Sequence, residues 1–213
     1  MRAARPLLAA LAVAWAACAA PAQDALLSAS DIGGDWKPLL GALAAKGPIQ
    51  ASFTERRHFP FRHEPLVLKG VLRISPERGL SLQYTDPEAS VLVADASGLV
   101  LRDGKGRSRE MPSGSREGGA IASLLPIMRF DLPALFPQFV IHARRAGDGW
   151  TFEFTPRDRE VADSLGSITV SGTGTDVRHL EFRRSASQRV EIDVGDTRAG
   201  VAFTPAELAR FFR

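Results

Sequence analysis

From residue 49 onward, apolar and polar positions alternate one for one. Ile49, Ala51 and Phe53 alternate with Gln50, Ser52 and Thr54, the pattern of a strand with one face buried. The same period runs through Leu66, Leu68, Gly70, Leu72 and Ile74, then through Leu80, Leu82 and Tyr84 up to Asp86-Pro87. Apolar runs at 91–94 and 99–101 follow, joined by Asp95-Ala96-Ser97-Gly98, a hairpin signal. Five strands in succession, with short turns and no crossover helix, predict an antiparallel meander and not a parallel α/β sheet.

Helical spacing flanks and interrupts this pattern. Trp36, Leu39, Leu40 and Leu43 fall on one helix face, with Asp35 as the expected N-cap, Pro38 in the first turn and Gly47-Pro48 as the stop. Residues 103–119 are polar and Gly-rich, which predicts a loop with room for one short strand. After it, Ile121, Leu124, Leu125 and Met128 have helical spacing, as do Leu132, Leu135, Phe136 and Phe139. Pro126, Pro133 and Pro137 interrupt the stretch, so two short helices are expected.

Strands resume at 140–146 and 150–155, around the turn Gly147-Asp148-Gly149. Trp150, Phe152 and Phe154 share one face, and strands at 168–170, 177–182 and 189–194 complete the series. A terminal helix begins with Thr204 as N-cap, Pro205 first and Glu207 third.

The N-terminus changes how the composition is read. Arg2 and Arg5 precede an apolar run from 7 to 20, and Ala20-Pro21-Ala22 follows, the layout of a secretory signal peptide cut after Ala22. Residues 23–213 then form a single domain. The run is shorter than the ~20 residues a membrane-spanning helix needs. The one cysteine, Cys18, lies inside this leader; a lipoprotein signal with Cys18 as the lipid-bearing residue is the alternative. Without Arg2 and Arg5, the 27 basic residues fall to 25 against 24 acidic ones, so charge does not point to nucleic acid.

Catalytic and metal-binding patterns are not found. His58, His63 and Glu64 are near one another, but their spacing matches no helical zinc motif and two prolines intervene. Ser113-Gly114-Ser115 sits in the polar loop, with no nucleophile elbow around it. Glu153, Asp158, Glu160 and Asp163 read as a solvated rim. The expectation is a non-enzyme with no cofactor and no metal. What remains is apolar surface on alternating strands, for which periodicity does not distinguish a filled core from a ligand cavity. Gly70 would let its strand bend or leave space.

The ordered set Ile49-Gln-Ala-Ser-Phe-Thr-Glu-Arg, Gly70-Val-Leu-Arg-Ile-Ser-Pro, Leu80-Ser-Leu-Gln-Tyr-Thr-Asp-Pro and Ser90-Val-Leu-Val-Ala-Asp-Ala-Ser-Gly resembles the LolA family of periplasmic lipoprotein carriers. Weaker similarity continues through Trp150-Thr-Phe-Glu-Phe-Thr-Pro and Leu165-Gly-Ser-Ile-Thr-Val. The resemblance implies a mainly β (α+β) fold, an incomplete antiparallel β-barrel of about eleven strands with a helical lid. It also implies a monomeric, non-catalytic periplasmic chaperone that takes acylated lipoprotein or lipid cargo from an inner-membrane ABC-type exporter to an outer-membrane receptor.

The expected cavity residues are Phe53, Leu68, Leu72, Ile74, Leu80, Leu82, Tyr84, Val91, Val93, Leu99, Leu101, Phe152, Phe154, Ile168 and Val170. The expected lid face is Ile121, Leu124, Leu125, Met128, Leu135 and Phe136. One departure stands out: the family's lid-contacting arginine would fall at Pro76, with Arg78 two residues out of phase. That departure keeps open a specialised carrier of a glycolipid or polyene lipid. A periplasmic sensor of lipid or envelope stress shares the same fold.

Overall fold

The computed structural model describes residues 23–30, 34–112 and 124–213. The leader at 1–22, Ile121 and part of the polar loop lie outside the described residues. Twelve strands form one antiparallel sheet: β1 (Gln23–Leu27), β2 (Ile49–His58), β3 (Leu66–Ser75), β4 (Gly79–Asp86), β5 (Ser90–Asp95), β6 (Gly98–Asp103), β7 (Ser108–Pro112), β8 (Phe139–Ala146), β9 (Gly149–Pro156), β10 (Ser167–Thr173), β11 (Asp176–Ser185) and β12 (Gln188–Ala199). Their spatial order is β1-β8-β9-β10-β11-β12-β2-β3-β4-β5-β6-β7. The sheet is two meanders joined where β12 pairs with β2, from Arg189 opposite His58 to Ala199 opposite Ile49. β1 and β7 are its two edges, so the barrel does not close.

The expected architecture is therefore present, with β1 as a strand that sequence pattern did not reveal. Leu26 and Leu27 are too short an apolar run to show a period.

Among the described residues, five helices accompany the sheet: α1 (Lys37–Ala44), α2 (Leu124–Met128), α3 (Leu132–Leu135), α4 (Arg159–Leu165) and α5 (Pro205–Phe211). A 3₁₀ turn at Gly34–Trp36 leads into α1, so the capping position falls on Trp36 and Asp35 does not cap the helix. Asp131 and Asp158 do cap α3 and α4, accepting from the amides of Ala134 and Val161. The acidic stretch read as a rim is thus in part a capped helix, ended by Gly166 at φ 70°.

α2 and α3 lie in the chain segment between β7 and β8, and Leu125, Ile127, Phe130, Leu132 and Leu135 are buried in the common core. Phe130, at the corner between the two helices, takes a positive φ of 50°. Its ring packs edge-on against Trp150 and Phe152.

α5 covers the opposite face of the sheet. Side chains alternate along strands, so the row Arg73–Ser81–Val93–Val100 faces away from the row Leu72–Leu82–Leu92–Leu101. Phe211 lies 3.7 Å from the Arg73 guanidinium in a cation–π contact, and Arg73, Val93, Val100 and Phe212 are all buried. Arg102 donates to the carbonyls of Arg210 and Phe212, Arg78 donates to that of Arg213, and Arg213 pairs with Asp95.

Candidate functional site: an apolar cavity with a polar mouth

The interior is filled unevenly. Beside β8 to β10, Trp36, Phe130, Phe139, Trp150, Phe152 and Phe154 interlock, with ring centroids 5.2–6.4 Å apart. Such spacing is that of offset and edge-to-face aromatic packing, and the rings fill the space between them. Beside β2 to β5 and β11 to β12, smaller aliphatic side chains face inward and leave a hollow.

The hollow has two parts. The larger, of about 370 Å³, is walled by Leu72, Leu80, Leu82, Tyr84, Leu92 and Ala94 on one side. Leu180, Phe182, Val190 and Ile192 form the other side, with Leu125 and Met128 of α2 and Leu165 of α4 between. The smaller, of about 50 Å³, is bounded by Leu43, Ile49, Ala51, Ile74, Ile127, Phe130, Val170, Val177 and Val194. Leu72, Met128 and Leu180 border both. Beside the smaller space, Lys46 pairs with Asp176 at 2.7 Å. The Lys46 hydrogen bond holds the Asp176 carboxyl below the ordinary carboxylate range.

The larger cavity has a polar end. β2 continues past Thr54, and its inward positions become Glu55 and Arg57. Glu55 is 3% exposed. The Tyr84 hydroxyl donates to its carboxylate at 2.7 Å, and Arg57 donates from Nε to Glu55 and from Nη2 to the Tyr84 oxygen at 3.2 Å. Burial pushes the Tyr84 phenol well above its usual value, and the adjacent Glu55 charge and hydrogen bond push it further. Burial acts to lower the Arg57 value, but the Glu55 and Tyr84 interactions outweigh it and raise it. His58, Arg184, Gln188 and Arg189 complete the rim. Phe59, also at the rim, stacks on Phe61, whose ring is exposed.

Gly70 shapes the same region. Phe53 and Tyr84 meet edge to face across it, with centroids 5.4 Å apart. A Cβ on Gly70 would stand 2.0 Å from the Gln83 carbonyl oxygen and 2.9 Å from the Phe53 ring. The glycine is thus a close approach of strands, and the side-chain space above it is taken by two aromatics.

The residues expected at the cavity divide into several groups. Leu72, Leu80, Leu82 and Tyr84 line the larger space, and Leu72, Ile74 and Val170 the smaller. Phe53, Leu99, Phe152, Phe154 and Ile168 are buried in the core without bordering either, while Leu68 packs at its margin and Leu101 is partly exposed. Val91 and Val93 face away from the interior, paired across the outer face with Gln83 and Ser81. The apolar run Val91-Leu92-Val93-Ala94 is buried on both faces, so it has no phase, and Leu92 and Ala94 are the inward pair.

Of the expected lid face, Leu125 and Met128 border the cavity, and Leu135 and Phe136 pack into the core. Ile121 and the Leu124 side chain lie outside the described residues. Arg78 donates to the Arg213 carbonyl. Among the described residues no group of three metal-ligating side chains comes together. His58 instead lies 3.3 Å from Glu191, and His63 and Glu64 are exposed. Sequence pattern missed Glu55, Arg57, Leu92, Ala94, Leu165, Phe182 and Arg184. For all but Leu165, which ends α4, the only sequence signal was the continued period of the strands that bear them.

No curated protein matches the chain. Among solved structures it is similar to a LolA superfamily protein from Nitrosomonas europaea, at 10% identity over 81% of this chain and 96% of that one, with a TM-score of 0.44. It is also similar to an outer-membrane lipoprotein-sorting protein domain from Vibrio parahaemolyticus, at 10% identity over 82% and 94%, TM-score 0.45. A third is LprF from Mycobacterium bovis, at 13% identity over 79% and 94%, TM-score 0.31. The model of the family described as outer membrane lipoprotein carrier protein LolA-like matches residues 27–211. That span runs from the end of β1 to the end of α5, and the chain belongs to this family.

Proposed function

We infer that the protein is a periplasmic carrier that encloses the acyl chains of lipoproteins or similar lipids and moves them from the inner to the outer membrane. The observation that carries this reading is the apolar space of about 370 Å³ between the two meanders. Pockets that enclose small ligands span about 300–1,000 Å³. Each methylene kept from water is worth about 0.8 kcal/mol, so acyl chains need such an enclosure to cross an aqueous compartment. An empty apolar space forfeits contacts around its whole lining, which leaves the unliganded protein disposed to take up hydrocarbon.

α2 suits a cover. It is one short helix, and Met128 on it borders both spaces. The flexible thioether of methionine adapts to chains of different shape. Cargo would come from an inner-membrane ABC-type exporter and leave to an outer-membrane receptor that binds it more tightly. The leader at 1–22 directs the chain to the periplasm, where it acts as a monomer without cofactor or catalysis.

Native mass spectrometry of protein isolated gently from its own periplasm tests this reading. A mass increment that lipid extraction identifies as acylated cargo is expected. Only ligand-free protein, with no uptake of a fluorescent acyl probe, would contradict it. A specialised lipid is the second reading, favoured by Pro76 standing where the family's arginine would fall and by the bond of Arg78 to the Arg213 carbonyl. Extraction of diacyl or triacyl peptide would reject that reading.

A further inference from the structure

The mouth of the cavity is chemically unlike its interior. Side chains bordering the larger space include three arginines, Arg57, Arg184 and Arg189, and one histidine, against a single carboxylate, Glu55. Not all of this charge is available. Arg189 donates to Glu191 and to the Ala186 carbonyl, and His58 lies beside the same Glu191.

Arg57 and Arg184 are different. Arg57 uses its Nε and one Nη2 hydrogen for Glu55 and Tyr84. A guanidinium has five N–H donors, so its Nη1 group keeps its hydrogens for another acceptor. Arg184 forms no hydrogen bond or ion pair among the described residues. The two stem from strands that flank β12, and both border the larger space: Arg57 lies opposite Val190 on one side, and Phe182 lies opposite Val190 on the other, with Arg184 two residues further on, at the register shift between Arg183 and Ser185.

We propose that Arg57 and Arg184 bind the acidic headgroup of the cargo, a carboxylate or phosphate monoester, while its hydrocarbon lies against Leu72, Leu82 and Met128. This rests on the acyl-cavity reading above and narrows its substrate class. Guanidinium groups pair with carboxylate and phosphate through parallel N–H donors. Glu55 and Tyr84 act as positioning residues, since their hydrogen bonds fix the Arg57 fork while leaving its outer donors unused. An amphiphile would then enter in one orientation, tail first, with its head held at the rim.

The experiment is displacement of a fluorescent acyl probe from the purified protein by four competitors: oleate, oleoyl lysophosphatidate, oleyl alcohol and inorganic phosphate. The two acids should displace the probe at concentrations at least roughly tenfold lower than the alcohol, and phosphate alone should not displace it. Arg57→Gln combined with Arg184→Ala should abolish the acid preference. Arg184→Ala alone should narrow it, and because Arg184 is exposed and unpaired, that variant reads out even if the double variant fails to fold. Added salt should narrow the preference in the wild type.

Equal displacement by acid and alcohol, or a preference that survives both substitutions, would overturn the headgroup assignment and leave the acyl cavity standing. Displacement by phosphate alone would overturn it too, by making the rim a site for a free anion. Failure of all four competitors, with no probe uptake, would remove the cavity reading itself.

Discussion

The Tyr84 hydroxyl and the Glu55 carboxylate meet at 2.7 Å inside the barrel, with tyrosine as donor. A carboxylate that is only 3% exposed is costly unless its acceptors are used, and here Tyr84 and Arg57 supply the donors. The pair thereby sets a polar floor for the rim within an otherwise greasy wall.

Tyr84→Phe removes that donor and leaves the ring in place. Stability should fall by about 1–3 kcal/mol, the cost of an unmet hydrogen bond to a buried charge, as read by denaturant unfolding. The wild type offers a second readout because Tyr84 is the only tyrosine. Its folded pKa is raised, so the neutral phenol's contribution is complete below the usual value of 10 and is lost as pH climbs toward the folded value. Phenolate absorbance should therefore be missing from the folded protein at the pH where free tyrosine is half ionised.

Gly70→Ala should destabilise the fold although it adds one carbon. The new Cβ meets a backbone oxygen at 2.0 Å and the Phe53 ring at 2.9 Å, and the oxygen belongs to the neighbouring strand and cannot rotate away. Overpacking of this kind costs roughly 1–3 kcal/mol. Urea midpoints of the two proteins, at unchanged m-value, measure it.

The meander β2 to β6 was legible because its turns are short and Leu72, Leu80 and Leu82 keep strict alternation. The capped α5 and the two proline-broken helices were legible for equally local reasons. The site was only partly so. Hydrophobic periodicity is blind to inward polar residues, so Glu55 and Arg57 broke the pattern at the point where it mattered. The inward phase of β5 is not legible from pattern, since Val91 and Val93 on its outer side are apolar and Val93 is fully buried. Nothing local shows that β12 pairs with β2, which is what brings Phe182 and Val190 opposite Tyr84. Nor could pattern separate the ring-filled region from the hollow one. Trp36 and Phe130 fill the space over Phe152 from distant parts of the chain.

Phe212→Ala probes the two faces separately. Phe212 is 1% exposed beneath the outer sheet face, against Phe203, so the substitution should cost about 3–5 kcal/mol of stability. Acyl-probe affinity, measured where the variant is still folded, should not change. A matching loss of affinity would show that the outer face communicates with the cavity.

Acid should weaken the polar contacts that β12 makes along its own length and with β11 and β2. The His179 hydrogen bond holds Asp193 below the ordinary carboxylate value of 3.8, and Arg56 adds to it; Arg189 does the same for Glu191, below 4.5, with His58 adding to it. Both depressed values stabilise the fold above the unfolded carboxylate range, and that stabilisation is lost as pH falls through the folded values. Thermal unfolding followed from neutral to acidic pH should show this decline, and Asp193→Asn should flatten it.

The central claim is tested most directly by measuring affinity across a series of saturated fatty acids differing only in chain length. Hydrocarbon entering the hollow should tighten binding by up to roughly fourfold for each added methylene until the space is full, after which affinity should level off. Affinity that does not vary with chain length, or no binding at any length, would contradict the account.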